Sequence, residues 1–123
     1  MITSTVNRNL ELVVTLPVHD SASVPHGIEF VIDTGCEGQS QLPASIVATF
    51  GLTFVSQRQS RLADGAVIVN PVHRAVVVWD GSPRIADVVA SGGVPLLGMW
   101  LLEDFDLRAR CRRGGLIEIE AAP

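Results

Sequence analysis

The sequence predicts an all-β domain, a closed or nearly closed barrel with one or two short helices. Three observations predict it. Strand-like stretches recur at short spacing with turn residues between them. Three of those turns carry hairpin chemistry. Helical patterning is confined to two short segments. The chain has 123 residues and shows no internal repeat, low-complexity segment or linker, so residues 1–123 read as one domain.

The elements follow in order. Leu10 to Val18 is rich in Val and Leu and reads as a strand ending at a Pro-containing edge. Ser21 to Pro25 reads as a turn, and Pro25-His26-Gly27 leads into the next strand. There Ile28, Phe30 and Ile32 alternate with Glu29 and Val31, the period of a half-buried strand. Asp33-Thr34-Gly35 ends that run and occurs once in the chain. A polar patch, Glu37-Gly38-Gln39-Ser40-Gln41, separates it from a helix predicted over Leu42 to Leu52. Pro43 suits the first turn of that helix, Ile46, Val47 and Phe50 share one face, and Gly51 is a natural stop. Asp64-Gly65 sits between the extended flanks of Arg61 to Val67, a strong hairpin signal. A second hairpin joins Val72 to Trp79 and Arg84 to Ala90 through Asp80-Gly81-Ser82-Pro83. Gly92-Gly93 then breaks the pattern, and Val94-Pro95-Leu96-Leu97-Gly98 leads to a short helix over Met99 to Asp104. In the third hairpin Leu107, Ala109 and Cys111 alternate with Arg108, Arg110 and Arg112. Arg113-Gly114-Gly115 turns the chain, and Ile117 and Ile119 alternate with Glu118 and Glu120. Basic residues facing acidic ones across that hairpin suit cross-strand pairs worth at most about 1 kcal/mol each.

Composition narrows the function. Hydrophobic residues make up 47% and charged residues 18%, enough for a core and too little charge for a disordered chain. So little charge also hints at apolar surface covered by a partner. A net charge of −4 argues against nucleic acid as the main partner, and the arginines of the third hairpin read as a solvated, paired face. Cys36 and Cys111 are not in a close CxxC pair, and His26 and His73 are scattered, so no metal site and no cofactor are expected. Both cysteines read as reduced thiols. No basic segment followed by an apolar stretch opens the chain, and no apolar run could span a bilayer. The expectation is a soluble cytoplasmic protein with no membrane partner. Trp79 and Trp100 read as core or interface fillers.

Asp33-Thr34-Gly35 carries the chemistry. A strand that delivers an Asp into a tight Gly turn can present a carboxylate for catalysis. Taken alone, the tripeptide reads first as an ordinary turn, because Asp and Gly are common turn residues.

Three segments in this order resemble the single-domain, retroviral-type (retropepsin-like) aspartic proteases, and most closely their bacterial relatives. They are Phe30-Val31-Ile32-Asp33-Thr34-Gly35, then Leu62-Ala63-Asp64-Gly65, then Val94-Pro95-Leu96-Leu97-Gly98-Met99-Trp100-Leu101-Leu102. The resemblance implies an acid-protease-type barrel with a flap hairpin and an aspartic endopeptidase active as a homodimer. Asp33 of each subunit would be catalytic. Thr34, Gly35 and Cys36 would form the active-site turn at the dimer axis, with Thr34 bonding across it. Leu62, Ala63, Asp64 and Gly65 would form the flap over an extended peptide or protein substrate. Leu96, Leu97 and Gly98 would support the catalytic loop, and the terminal strands would join the dimer interface. Two positions depart from the family pattern. Cys36 stands where Ala or Ser is common in retroviral members, and Trp100 stands where bacterial relatives usually carry Asp.

Hydrolysis without a covalent intermediate needs an activated water and an acid for the leaving nitrogen. Two carboxylates sharing one proton supply both, because like charges so close cannot both ionise. One such turn per chain therefore requires a symmetric dimer. The alternative is a non-catalytic peptide-binding or dimeric interaction module on the same fold.

Overall fold

Most of the strand-like stretches become the wall of one barrel. The computed structural model describes residues 1–36 and 40–123, so Glu37-Gly38-Gln39 of the polar patch lie outside the described residues. The elements are β1 (Ile2–Thr5), β2 (Val13–His19), β3 (Pro25–Ile32), β4 (Ser40–Pro43), α1 (Ala44–Phe50), β5 (Thr53–Arg61), β6 (Val67–Trp79), β7 (Ser82–Ser91), β8 (Leu96–Leu97), α2 (Met99–Leu102), β9 (Phe105–Ala109) and β10 (Leu116–Ala121).

One sheet runs β2-β3-β8-β4-β7-β6-β5, and the pairing of Val18 with Val77 joins β2 back to β6. The ring is thereby closed and β5 hangs from β6 alone. The reason is written in β5. Its sequence loses the apolar alternation of a wall strand, and nearly all of it is exposed. The first part of β6 matches it, with Val67, Ile68 and Val69 exposed, before Val72, Ala75, Val77 and Trp79 turn into the core. The β5–β6 hairpin is thus half projection and half barrel.

The barrel interior is filled by Val14, Leu16 and Val18 of β2, Phe30 and Ile32 of β3, Leu42, Val88 and Leu97. A second sheet, β1-β10-β9, packs Ile117 and Ile119 into the same core. β1 is an element the sequence reading did not anticipate. It is four residues long, and its Ser and Thr give no apolar alternation to detect.

Several predicted boundaries move. The helix expected over Leu42 to Leu52 is Ala44–Phe50, because a residue before proline is pushed to extended backbone. Leu42 accordingly stays in β4, which pairs parallel with β7, and Pro43 becomes the N-cap. Gly51 ends the helix in the left-handed region at φ 65°, as expected. The second helix stops at Leu102 rather than Asp104, and Asp104 itself has φ 66°. The second hairpin turns on Asp80-Gly81 alone, with φ 51° and 83°. Positive φ at both central positions suits the strand twist, so Ser82 and Pro83 already pair with Trp79 and Val78.

The third hairpin needs a larger correction. Arg108 lies opposite Glu118 and reaches Glu120 at 2.8 Å and Glu118 at 4.0 Å. β9 ends at Ala109, so Arg110, Cys111 and Arg112 sit in the connection rather than on a strand, and Cys111 is exposed. Gly115 explains the early end. A Cβ there would collide with the Arg110 carbonyl oxygen, so the chain folds back tightly over that residue.

Candidate functional site

The site is built on the end of β3. Val31 and Ile32 pair in parallel with Leu96 and Leu97 of β8. The Asp33 N–H then donates to the Leu97 carbonyl at 3.0 Å, so the strand pairing continues into the turn. The Cys36 N–H donates to the Asp33 carbonyl at 3.1 Å, and the Cys36 carbonyl accepts from the Met99 N–H at 3.0 Å. The Gly98 N–H donates to Ser40 Oγ at 3.2 Å, inside the protein. The turn is therefore tied by backbone bonds to β8 and to the start of α2.

The carboxylate is oriented locally. The Gly35 N–H donates to Asp33 Oδ1 at 3.0 Å. A Cβ at Gly35 would lie 3.3 Å from that same oxygen, tighter than most contacts, so a side chain there would press on the carboxylate. Asp33 is half-buried while Thr34 and Gly35 are exposed. Behind them Leu97 is fully buried (0% exposed) and Leu101 and Leu102 are buried. Leu96 and Leu97 run beside the end of β3, and Gly98 follows them. Leu96 and Leu97 do so as a two-residue strand rather than as a loop.

The Asp64-Gly65 hairpin is present as read. The Leu62 N–H donates to the Ala66 carbonyl at 2.8 Å, the Gly65 N–H to the Leu62 carbonyl at 3.0 Å, and the Ala66 N–H to Asp64 Oδ1 at 2.9 Å. Leu62, Ala63, Asp64 and Gly65 are all exposed.

A groove of about 260 Å³ lies between Cys36, after the Asp33 turn, and the body of the β5–β6 hairpin. Its floor is Cys36, Gln41 and Val89, and its roof is Arg58, Ser60, Ile68 and Asn70 of the β5–β6 hairpin. Sequence reasoning missed these lining residues, since it placed substrate contacts at the hairpin tip. A signal did exist. Arg58 pairs with Asn70 and Ser60 with Ile68, so once the hairpin register is set from its Asp-Gly turn, these four alternate positions fall on one face.

The two tryptophans separate. Trp79 is buried, whereas Trp100 is 56% exposed on α2 beside exposed Met99. Among the described residues no three His, Cys, Asp or Glu side chains gather as metal ligands. No helix among them is long and apolar enough to cross a membrane. His26 is engaged elsewhere, pairing with Asp20 at 2.9 Å at the opposite end of β3 from Asp33.

No family model matches the chain, and no curated protein does. Among solved structures it is similar to a retropepsin-like aspartic protease from Rickettsia conorii. The TM-score is 0.59 and the identity 20%, over 99% of this chain and 91% of that one. The chain has a retropepsin-like fold.

Proposed function

We propose that this chain is one subunit of a homodimeric aspartic endopeptidase, with one Asp33 from each subunit forming the catalytic pair. The observation that carries this reading is the Asp33 turn itself. Its backbone is held from behind by Leu97 and Met99, and its carboxylate is oriented by the Gly35 N–H. Thr34 and Gly35 are exposed on the single chain, which leaves that surface available to a second copy. A lone carboxylate cannot supply both base and acid, so the site is completed by the two-fold partner.

In the assembled site the two Asp33 carboxylates share one proton. The charged member takes a proton from a bound water, and the protonated member hydrogen-bonds the scissile carbonyl. The water oxygen adds to the carbonyl carbon, and the acid then delivers a proton to the leaving nitrogen. Thr34 bonds across the axis and holds the turns together. The hairpin of Leu62, Ala63, Asp64 and Gly65 closes over the peptide and excludes water. The substrate lies extended and adds a strand between hairpin and floor.

Asp33→Asn tests the reading. Cleavage of a peptide library at mildly acidic pH should fall to background while sedimentation still shows a folded dimer. Retained proteolysis in a clean preparation of that variant would refute the assignment. A dimer of the natural sequence that cuts nothing at any pH would favour a peptide-binding module instead.

A further inference from the structure

The terminal strands close on one another inside a single chain. β10 lies between β1 and β9, and from Ile117 to Ile119 both of its edges are paired. Ile117 and Ile119 are buried in the core. The segments that would have to open for a strand to leave are short and bonded. Between β1 and β2 the Asn7 N–H donates to the Glu11 carbonyl at 3.0 Å, and the Leu10 N–H to the Asn7 carbonyl at 3.1 Å. Asn7 Oδ1 also accepts from the Asn9 and Glu11 N–H groups, and Asn7 Nδ2 donates to Glu11 Oε1. Between β9 and β10 the Gly115 N–H donates to the Arg112 carbonyl at 2.8 Å, and the Gly114 N–H to the Val6 carbonyl at 2.9 Å. Strands are exchanged between copies through a hinge that opens, and these connections are closed.

A different face is left uncovered. Thr34 and Gly35 are exposed at the Asp33 turn. The Met99 N–H donates to the Cys36 carbonyl at 3.0 Å, so the start of α2 is fixed to that turn. Met99 and Trp100 stand there, both exposed, whereas the other tryptophan, Trp79, is buried. Tryptophan and methionine are enriched where proteins meet. Under the protease reading a second copy must reach Thr34 and Gly35. The same approach brings it to Met99 and Trp100, which begin one hydrogen bond away.

We infer that each chain folds by itself and that two folded copies dock through the face of Thr34, Met99 and Trp100, without exchanging terminal strands, so that association switches the site on. The inference rests on the protease reading, and the test separates the two. Thr3 and Glu118 lie directly opposite each other on β1 and β10. In a protein carrying Cys36→Ser and Cys111→Ser, the pair Thr3→Cys, Glu118→Cys should oxidise to a link within one chain, read as the monomer mass on a non-reducing gel. Covalent dimers would overturn the inference. Sedimentation and circular dichroism of the natural protein are followed together on dilution. Single chains should keep the folded spectrum, and loss of structure on dissociation would overturn it. Trp100 emission should shift to the blue on association, and Trp100→Asp should raise the dimer dissociation constant at least about tenfold. Val24→Asp, at another exposed apolar position beyond the opposite end of β3, should leave it unchanged. Weakening by both variants alike, or by neither, would overturn the docking face. Any of these failures in a protein that still cuts peptides leaves the protease reading standing. Association that passes all of them without cleavage at any pH removes the protease reading and leaves the docking.

Discussion

The turn at Asp33 and the turn at Asp64 use the same local device. In each, an aspartate oxygen accepts the N–H two residues ahead, from Gly35 at 3.0 Å and from Ala66 at 2.9 Å. Each contains a glycine. They differ in what stands behind them. The Asp33 turn is bonded to Leu97 and Met99 and packed on a fully buried leucine. The Asp64 turn is bonded only within its own hairpin among the contacts described for it, and its residues are exposed. Local chemistry makes the turn, and tertiary backing decides whether it is held. A firmly held floor and a less firmly held roof are what closure over a peptide, as proposed, would require.

The sharpest way to break this contrast is to remove the backing of the floor. Leu97→Ala should cost about 2–5 kcal/mol, the usual penalty for a leucine truncated in a core. It should also remove cleavage under conditions where the fold persists. Urea denaturation gives the first number and a peptide assay the second. A loss below about 1 kcal/mol would mean that β8 does not support the turn.

Ser40→Ala is a smaller cut at the same place. Ser40 is 3% exposed and its Oγ accepts from the Gly98 N–H. An unpaired buried donor costs about 1–3 kcal/mol. The same denaturation experiment reads it, and Ser40→Thr should recover part of the loss by keeping the hydroxyl. If alanine proves neutral, the Gly98 N–H has another partner.

The hairpin should respond in the opposite sense. Leu62 is 45% exposed, so Leu62→Ser should leave stability within about 0.5 kcal/mol while, under the proposed function, kcat/KM falls because the flap would lose apolar surface for the peptide. A stability loss as large as that of Leu97→Ala would show that the roof is as firmly held as the floor.

How far the sequence discloses this contrast depends on how local the cause is. The Asp33, Asp64 and Asp80 turns, the alternation of Ile28, Phe30 and Ile32, and the Gly51 stop are legible because neighbours in the chain create them. The closure of β2 on β6 rests on one pair, Val18 with Val77, set by barrel geometry and by nothing adjacent to either residue. β8 is two residues long, too short for a period. The Ser40–Gly98 bond spans 58 positions and no motif announces it. The groove lining fell between these cases. Its residues obey a readable alternation, yet their meaning depends on the hairpin lying over Cys36 and Gln41.

A third aspartate turn calibrates the other two. Asp20 Oδ1 accepts from the Ala22 N–H at 2.8 Å and the Val24 N–H at 3.0 Å, and Oδ2 meets His26 Nε2 at 2.9 Å. The His26 ring in turn lies 4.6 Å from Phe50 of α1. This turn is backed like Asp33 yet remote from the site, so it should affect stability and not cleavage. The hydrogen bond from His26, followed by that from the Val24 N–H, holds the Asp20 carboxyl below the usual aspartate value of 3.8. A lowered folded pKa means that the unfolded chain binds the proton first as pH drops. The contribution is therefore complete above pH 3.8 and disappears as pH falls through the lower folded value. Asp20→Asn should lower the urea midpoint slightly at neutral pH, by less than either floor variant because the pair is exposed to solvent. The gap from the natural protein should narrow as the buffer is taken below pH 3.8. A gap that stays constant or widens with acidification would show that the carboxylate charge is not what ties this turn, and would leave the His26–Phe50 contact as its support.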